Sequence, residues 1–124
     1  MKKRDFKEAL FQLLDISIED MTFCEKMVFV EKLMIEYQRT NEDKRDTSMK
    51  GKKWTDEELK IILSDASSES NCLKYAKLFK RGYGSIEQIY RWSTTPITIM
   101  SDERKEDSFI IQIKKVSREL GLRG

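Results

Sequence analysis

The chain has no histidine at all, one proline, two cysteines and five glycines in 124 residues. Without histidine there is no Ser-His or Cys-His dyad, no imidazole general base and no histidine ligand for zinc. Cys24 and Cys72 are too few for a secreted disulfide scaffold, and each sits among apolar residues at helical spacing. Both are expected as buried free thiols in a reducing cytoplasm. No apolar run is long enough to cross a bilayer. The opening Met1-Lys2-Lys3-Arg4-Asp5 leads into a charged amphipathic stretch rather than the apolar core of a signal peptide, so export is not expected. No metal, cofactor or membrane partner is implied.

What is present is charge and helical periodicity. Charged residues make up 37% and hydrophobic ones 39%, a mixture that suits a small helical protein better than a disordered one. The net charge of +2 hides an uneven distribution. Between residues 71 and 95, Lys74, Lys77, Lys80, Arg81 and Arg91 stand against Glu87 alone, whereas the first 45 residues carry nine basic and ten acidic side chains. A local basic excess is an electrostatic footprint for an anionic partner, or else a solvated face.

Apolar spacing predicts a helix over 3–15 (Phe6, Leu10, Leu13, Leu14) and a second over 18–41, opened by Ser17 with acids behind it. In the second, Phe23, Met27, Val30, Met34 and Tyr37 step by four and three, a two-heptad seam that fits either an internal core or a homodimer. Residues 46–53, and the charged run from Glu42 on, read as a linker. Thr55-Asp56-Glu57-Glu58 is a capping box, opening a helix whose face is Leu59, Ile62 and Leu63. A helix over 69–80 follows, then a tight turn at Gly82-Tyr83-Gly84. Ser85-Ile86-Glu87-Gln88 is a second capping box, opening a helix over 85–94 that Pro96 stops. Ile97 to Met100 is expected as a short extended connection. A last helix over 102–120 carries the stripe Phe109, Ile113, Val116 and Leu120, with Gly121 as its stop. No segment alternates as a strand, so the fold is expected to be all-α. The expected divisions are an N-terminal helical pair (1–45), a linker (46–53), a three-helix domain (54–96) and a C-terminal helix (97–124).

Lys50-Gly51-Lys52-Lys53-Trp54-Thr55-Asp56-Glu57-Glu58, then Asn71 to Lys77, then Ser85 to Trp92, resemble in order the three helices of a Myb/SANT repeat. The resemblance covers residues 50–95. It departs from the family where Cys72 stands for the central tryptophan, where Trp92 falls one position early, and in a longer turn. Another helix-turn-helix variant fits the same residues. The resemblance implies a three-helix Myb-like unit with additional flanking helices, whose third helix reads the major groove of double-stranded DNA. A DNA-binding transcriptional regulator in the cytoplasm, associated with the nucleoid, is what this implies; a SANT-like protein-interaction module or helical adaptor is the alternative.

The third helix divides by angle. At about 100° per residue with Ile89 at the centre of the buried arc, Ile86, Trp92 and Ser93 fall inside it. Glu87, Arg91 and Thr94 fall opposite, with Gln88 and Tyr90 on the flanks. Arginine can fork onto guanine, glutamine onto adenine, and glutamate can accept from cytosine. Lys52, Lys53, Lys80, Arg81 and Tyr83 lie where phosphates would be held. Trp54 and Trp92 are expected in the core. No arrangement of nucleophile and base suggests an enzyme.

Overall fold

The computed structural model describes residues 1–122. Among them every regular element is a helix, and there is no strand, so the all-α expectation holds. The helices are α1 (Lys3–Leu14), α2 (Phe23–Thr40), α3 (Asp56–Leu63), α4 (Glu69–Leu78), α5 (Tyr83–Thr94), α6 (Asp102–Lys105) and α7 (Ser108–Glu119). Short 3-10 turns occupy Glu42–Lys44 and Ile97–Ile99. The chain forms two compact units, Met1–Met34 and the remainder from Ile35, with α2 divided between them.

In the first unit, α1 ends at Leu14 and Asp20 takes a left-handed φ of 56°, so no helix can begin at residue 18. Helix α2 starts instead behind Thr22. The Thr22 hydroxyl accepts from Glu25 N–H at 3.2 Å while the Glu25 carboxylate accepts from Thr22 N–H at 3.2 Å, a reciprocal cap that satisfies two orphan donors. The Lys26 ammonium donates to the carbonyls of Leu14 and Ile16, which closes the end of α1. Neither helix buries a residue fully. Cys24 is accordingly exposed, against expectation, and only Cys72 is a buried free thiol.

The second unit holds the core. The Thr55 box forms as predicted: Thr55 Oγ1 accepts from Glu58 N–H at 3.2 Å and Glu58 Oε1 accepts from Thr55 N–H at 2.9 Å. It aims Leu59, Ile62 and Leu63 inward. Helix α4 adds Cys72, Leu73, Tyr75 and Ala76, and α5 adds Ile86 and Ile89. Each such aliphatic side chain removed from water contributes about 1.5–3 kcal/mol. Trp54 is buried and meets Phe79 edge-to-face at 5.9 Å; Phe79 and Trp92 pack on the core from its margin.

Helix α7 belongs to this core. Ile113 and Val116 are fully buried, and α7 packs on both α3 and α5. The expected single helix over 102–120 is broken, because the Asp107 carboxylate accepts from the N–H groups of Phe109 and Ile110 at 2.9 and 3.0 Å and starts α7 afresh. Gly121, at φ 77°, ends α7 as expected, letting Leu122 N–H reach Ser117 O at 2.9 Å. Residues 97–99 form a 3-10 turn rather than an extended stretch, since Met100 N–H returns to Ile97 O at 3.1 Å. The expected boundaries at 45/46, 53/54 and 96/97 all fall within this one unit.

Candidate nucleic-acid interface

The connection from α4 to α5 decides what α5 can present. Helix α4 ends at Leu78 with Phe79 as its C-cap, Lys80 adopts a left-handed φ of 56°, and Arg81 N–H returns to Ala76 O at 2.9 Å. This closure normally favours glycine at the left-handed position. The tight turn therefore lies at Lys80, not at Gly82-Tyr83-Gly84, and α5 begins two residues before the expected Ser85.

Its cap comes from far away in sequence. Glu42 Oε1 accepts from Tyr83 N–H at 2.6 Å and from Arg45 Nη2 at 2.7 Å. Arg45 Nη1 donates to the carbonyls of Arg81 (2.9 Å) and Ala76 (3.3 Å). One carboxylate thus serves the start of α5 while the guanidinium beside it serves the end of α4. The charged run expected as a linker is a clasp around the helix-helix turn.

Arg81 is 2% exposed. Its guanidinium lies over the Trp54 ring at 3.9 Å and donates to the carbonyls of Lys52 and, at 3.0 Å, Lys53. Burial pushes its pKa below the usual guanidinium range, with Glu58 opposing the shift. This corrects its expected role: Arg81 cannot meet a phosphate, and it anchors the segment ahead of Trp54 instead. Tyr83 and Tyr90 are corrected likewise. Tyr83 is buried beneath the Arg39 guanidinium at 4.0 Å, and burial pushes its phenol up to about 12. Tyr90 is buried and donates to Ile62 O at 2.8 Å, with its phenol raised by the same desolvation. Glu87 is half-buried and paired with Arg39 at 3.3 Å.

Gln88, Arg91 and Thr94 remain exposed on α5, one face with Gly84. The Thr94 hydroxyl lies within hydrogen-bonding distance of Tyr90 O and Arg91 O, 3.2 Å from each. The side chains of Gln88 and Arg91 form no hydrogen bond or ion pair among the described residues. Lys52 and Lys53 are exposed too, and line a cleft of about 560 Å³ with Arg81, Ser85, Ser108 and Gln112. Among the described residues no carboxylate lines that cleft. Lys80 is exposed and 3.6 Å from Asp46. A second cleft, of about 260 Å³ beside the start of α4, is lined by Arg91 and Thr94 but also by Glu69 and Glu87. Sequence reasoning missed Arg39, Glu42 and Arg45, whose partners lie dozens of residues away. Among the described residues no cluster of acidic or thiol side chains could hold a metal ion, and no helix is long and apolar enough to cross a membrane.

Residues 48–124, more than half of the chain, match the family model described as "Uncharacterised protein PM1205 C-terminal domain". The chain belongs to the PM1205 family. It is 46% identical over 125 residues to the protein PM1205 of Pasteurella multocida strain Pm70, covering 99% of both chains. No solved structure matches it. The family's C-terminal domain begins just ahead of the Lys52-Lys53 pair and includes α3, α4, α5 and α7, so the cleft and the exposed face of α5 both lie within it.

Proposed function

We propose that the larger unit binds double-stranded DNA, with α3, α4 and α5 acting as a Myb-like helix-turn-helix and α5 entering the major groove. The observation that carries this reading is the pair Gln88 and Arg91, exposed and without partners on one face of α5. Both are side chains that can bond base edges in two places at once. Gly84, on the same face at the start of α5, has nothing within 4 Å of where a Cβ would stand, which leaves room for a sugar-phosphate backbone. Lys52 and Lys53, in their cleft free of carboxylates, supply phosphate contacts, with Lys80 a further one. Arg39 matters as well: by pairing with Glu87 it offsets the one negative charge on α5 that would repel DNA. Regulation of transcription is the role such a reading face suits.

The test is fluorescence anisotropy on a random duplex pool at two salt concentrations, followed by selection of a preferred site. Arg91→Ala is expected to weaken the preferred site by about 1–3 kcal/mol and to leave other duplexes nearly unchanged. Lys52→Ala with Lys53→Ala is expected to weaken all duplexes alike and to reduce the salt slope by about two. Absence of any salt-dependent duplex binding would defeat the proposal and leave a protein-interaction module as the better account. That second reading is favoured by one observation, the lack of any fully buried residue in the first unit.

A further inference from the structure

The first unit leaves most of its apolar side chains exposed. Thirteen of the 21 exposed large hydrophobics among the described residues fall within residues 1–34. Chains below about 40 residues rarely support themselves without oligomerisation or a cross-link, and a twelve-residue helix such as α1 is marginal alone in water. About half of its exposed apolar side chains gather in one place. Leu10, Leu13, Ile16, Ile18, Phe29 and Leu33 line one groove of about 330 Å³ between α1 and α2. At about 60–120 Å² for a whole aliphatic or aromatic side chain, these six half-exposed ones amount to roughly 200–400 Å², approaching the apolar share of one side of an ordinary stable interface, which is about 800 Å² in all.

The charges of this hairpin say what covers the groove. Lys2, Lys3, Arg4 and Lys7 outnumber Asp5 and Glu8 at the start of α1, while Asp15, Glu19 and Asp20 follow its end. Lys2 to Arg4 and Asp15 oppose the α1 dipole, which favours acids at the start and bases at the end, whereas Glu19 and Asp20 sit just ahead of α2, where acids are favoured. Both clusters go unanswered within the chain: among the described residues no ion pair involves any residue before Arg39. A hairpin with a basic end, an acidic end and an apolar groove between them is complementary to itself when turned end for end.

We infer that the groove is the homodimer interface of this protein, with a second copy of residues 1–34 lying antiparallel across it. The two-fold arrangement brings each basic α1 start against the partner's acidic turn and buries both grooves in a four-helix bundle. It also revises the seam expected from sequence. Val30 and Met34 of that seam line the groove, but Phe23, Met27 and Tyr37 do not, while Phe29 and Leu33 on α2 and the apolar face of α1 join it. The inference does not rest on DNA binding and is tested in its absence.

The test is sedimentation of the full chain. Wild type is expected as a dimer at about 100 µM chain, with a monomer from Leu10→Glu combined with Leu33→Glu whose larger unit still melts cooperatively. Two charge variants separate self-pairing from generic stickiness. Lys2→Glu with Lys3→Glu and Lys7→Glu makes both ends acidic, and Asp15→Lys with Glu19→Lys makes both ends basic. Each alone is expected to dimerise at least about tenfold more weakly, and an equimolar mixture to recover a heterodimer. A monomeric wild type overturns the inference, whether the hairpin then binds another protein, a lipid vesicle or nothing. So does a dimer indifferent to the groove variants, or a mixture of charge variants that does not pair.

Discussion

Replacing Arg81 by alanine separates an anchoring guanidinium from a DNA contact. Its stacking on Trp54 at 3.9 Å, out of water, contributes about 2 kcal/mol. Its donations to the Lys52 and Lys53 carbonyls add about 1.5–3 kcal/mol each, as hydrogen bonds from a charged group do. Against these stands the cost, several kcal/mol, of holding a cation out of water with no carboxylate bonded to it. The balance for Arg81→Ala is a loss of about 2–4 kcal/mol. For a unit of this size each kcal/mol lowers Tm by about 4–8 °C, so a thermal melt followed by circular dichroism should fall by roughly 10–30 °C. Arg81→Lys should recover little, because an ammonium offers neither a planar face for the indole nor a fork for two carbonyls. A variant that melts within a degree or so of wild type yet loses duplex affinity would refute the reasoning and put Arg81 back at the DNA surface.

Lys80→Gly should raise stability by roughly 0.5–1 kcal/mol in denaturant melts, since glycine carries no strain at the left-handed φ that Lys80 adopts. Tyr90→Phe removes one hydrogen bond to the Ile62 carbonyl, which keeps the Asp65 N–H at 3.1 Å, and should cost about 0.5–1.5 kcal/mol while changing no duplex affinity. A maleimide should label one thiol per native chain and two in denaturant, because Cys24 is exposed, whereas Cys72 is buried with its pKa raised by desolvation. Gln112, at 2.9 Å, and then Lys115, at 3.0 Å, hold the Asp56 carboxyl below its usual range. A lowered folded-state pKa stabilises above the unfolded value of about 3.9 and ceases to do so as pH falls through the folded value. Asp56→Asn should therefore lower Tm at neutral pH, with the gap from wild type narrowing as pH falls below the unfolded carboxyl value.

Local chemistry made α3 legible, because its cap and its apolar face are both contiguous in sequence. The Ser85 box looked equally good and did not form. Burial of Tyr83 and a carboxylate 41 residues upstream set the start of α5 earlier, and a serine inside a helix caps nothing. Glu42 and Arg45 were invisible for a related reason. A search for apolar periodicity treats charged residues as solvent-facing, while these two are valued for the backbone groups they satisfy. Tyr90 could have been placed from spacing alone: Tyr83, Ile86, Tyr90 and Ser93 recur at three and four, and all are buried. Arg81 could not, since nothing in a run of basic residues marks the one that turns inward. Among the residues expected to face DNA, Gln88 and Arg91 kept their exposure because they sit opposite that stripe.

The clasp of Glu42 and Arg45 means that the boundary drawn by similarity and the boundary drawn by mechanics differ. The family domain begins at residue 48, yet the groups that fasten the start of α5 to the end of α4 lie upstream of it. A fragment cut at 48 would retain every residue of the exposed α5 face and lose the bolt that fixes its angle. Whatever that helix recognises, its aim is set from outside the domain that carries it.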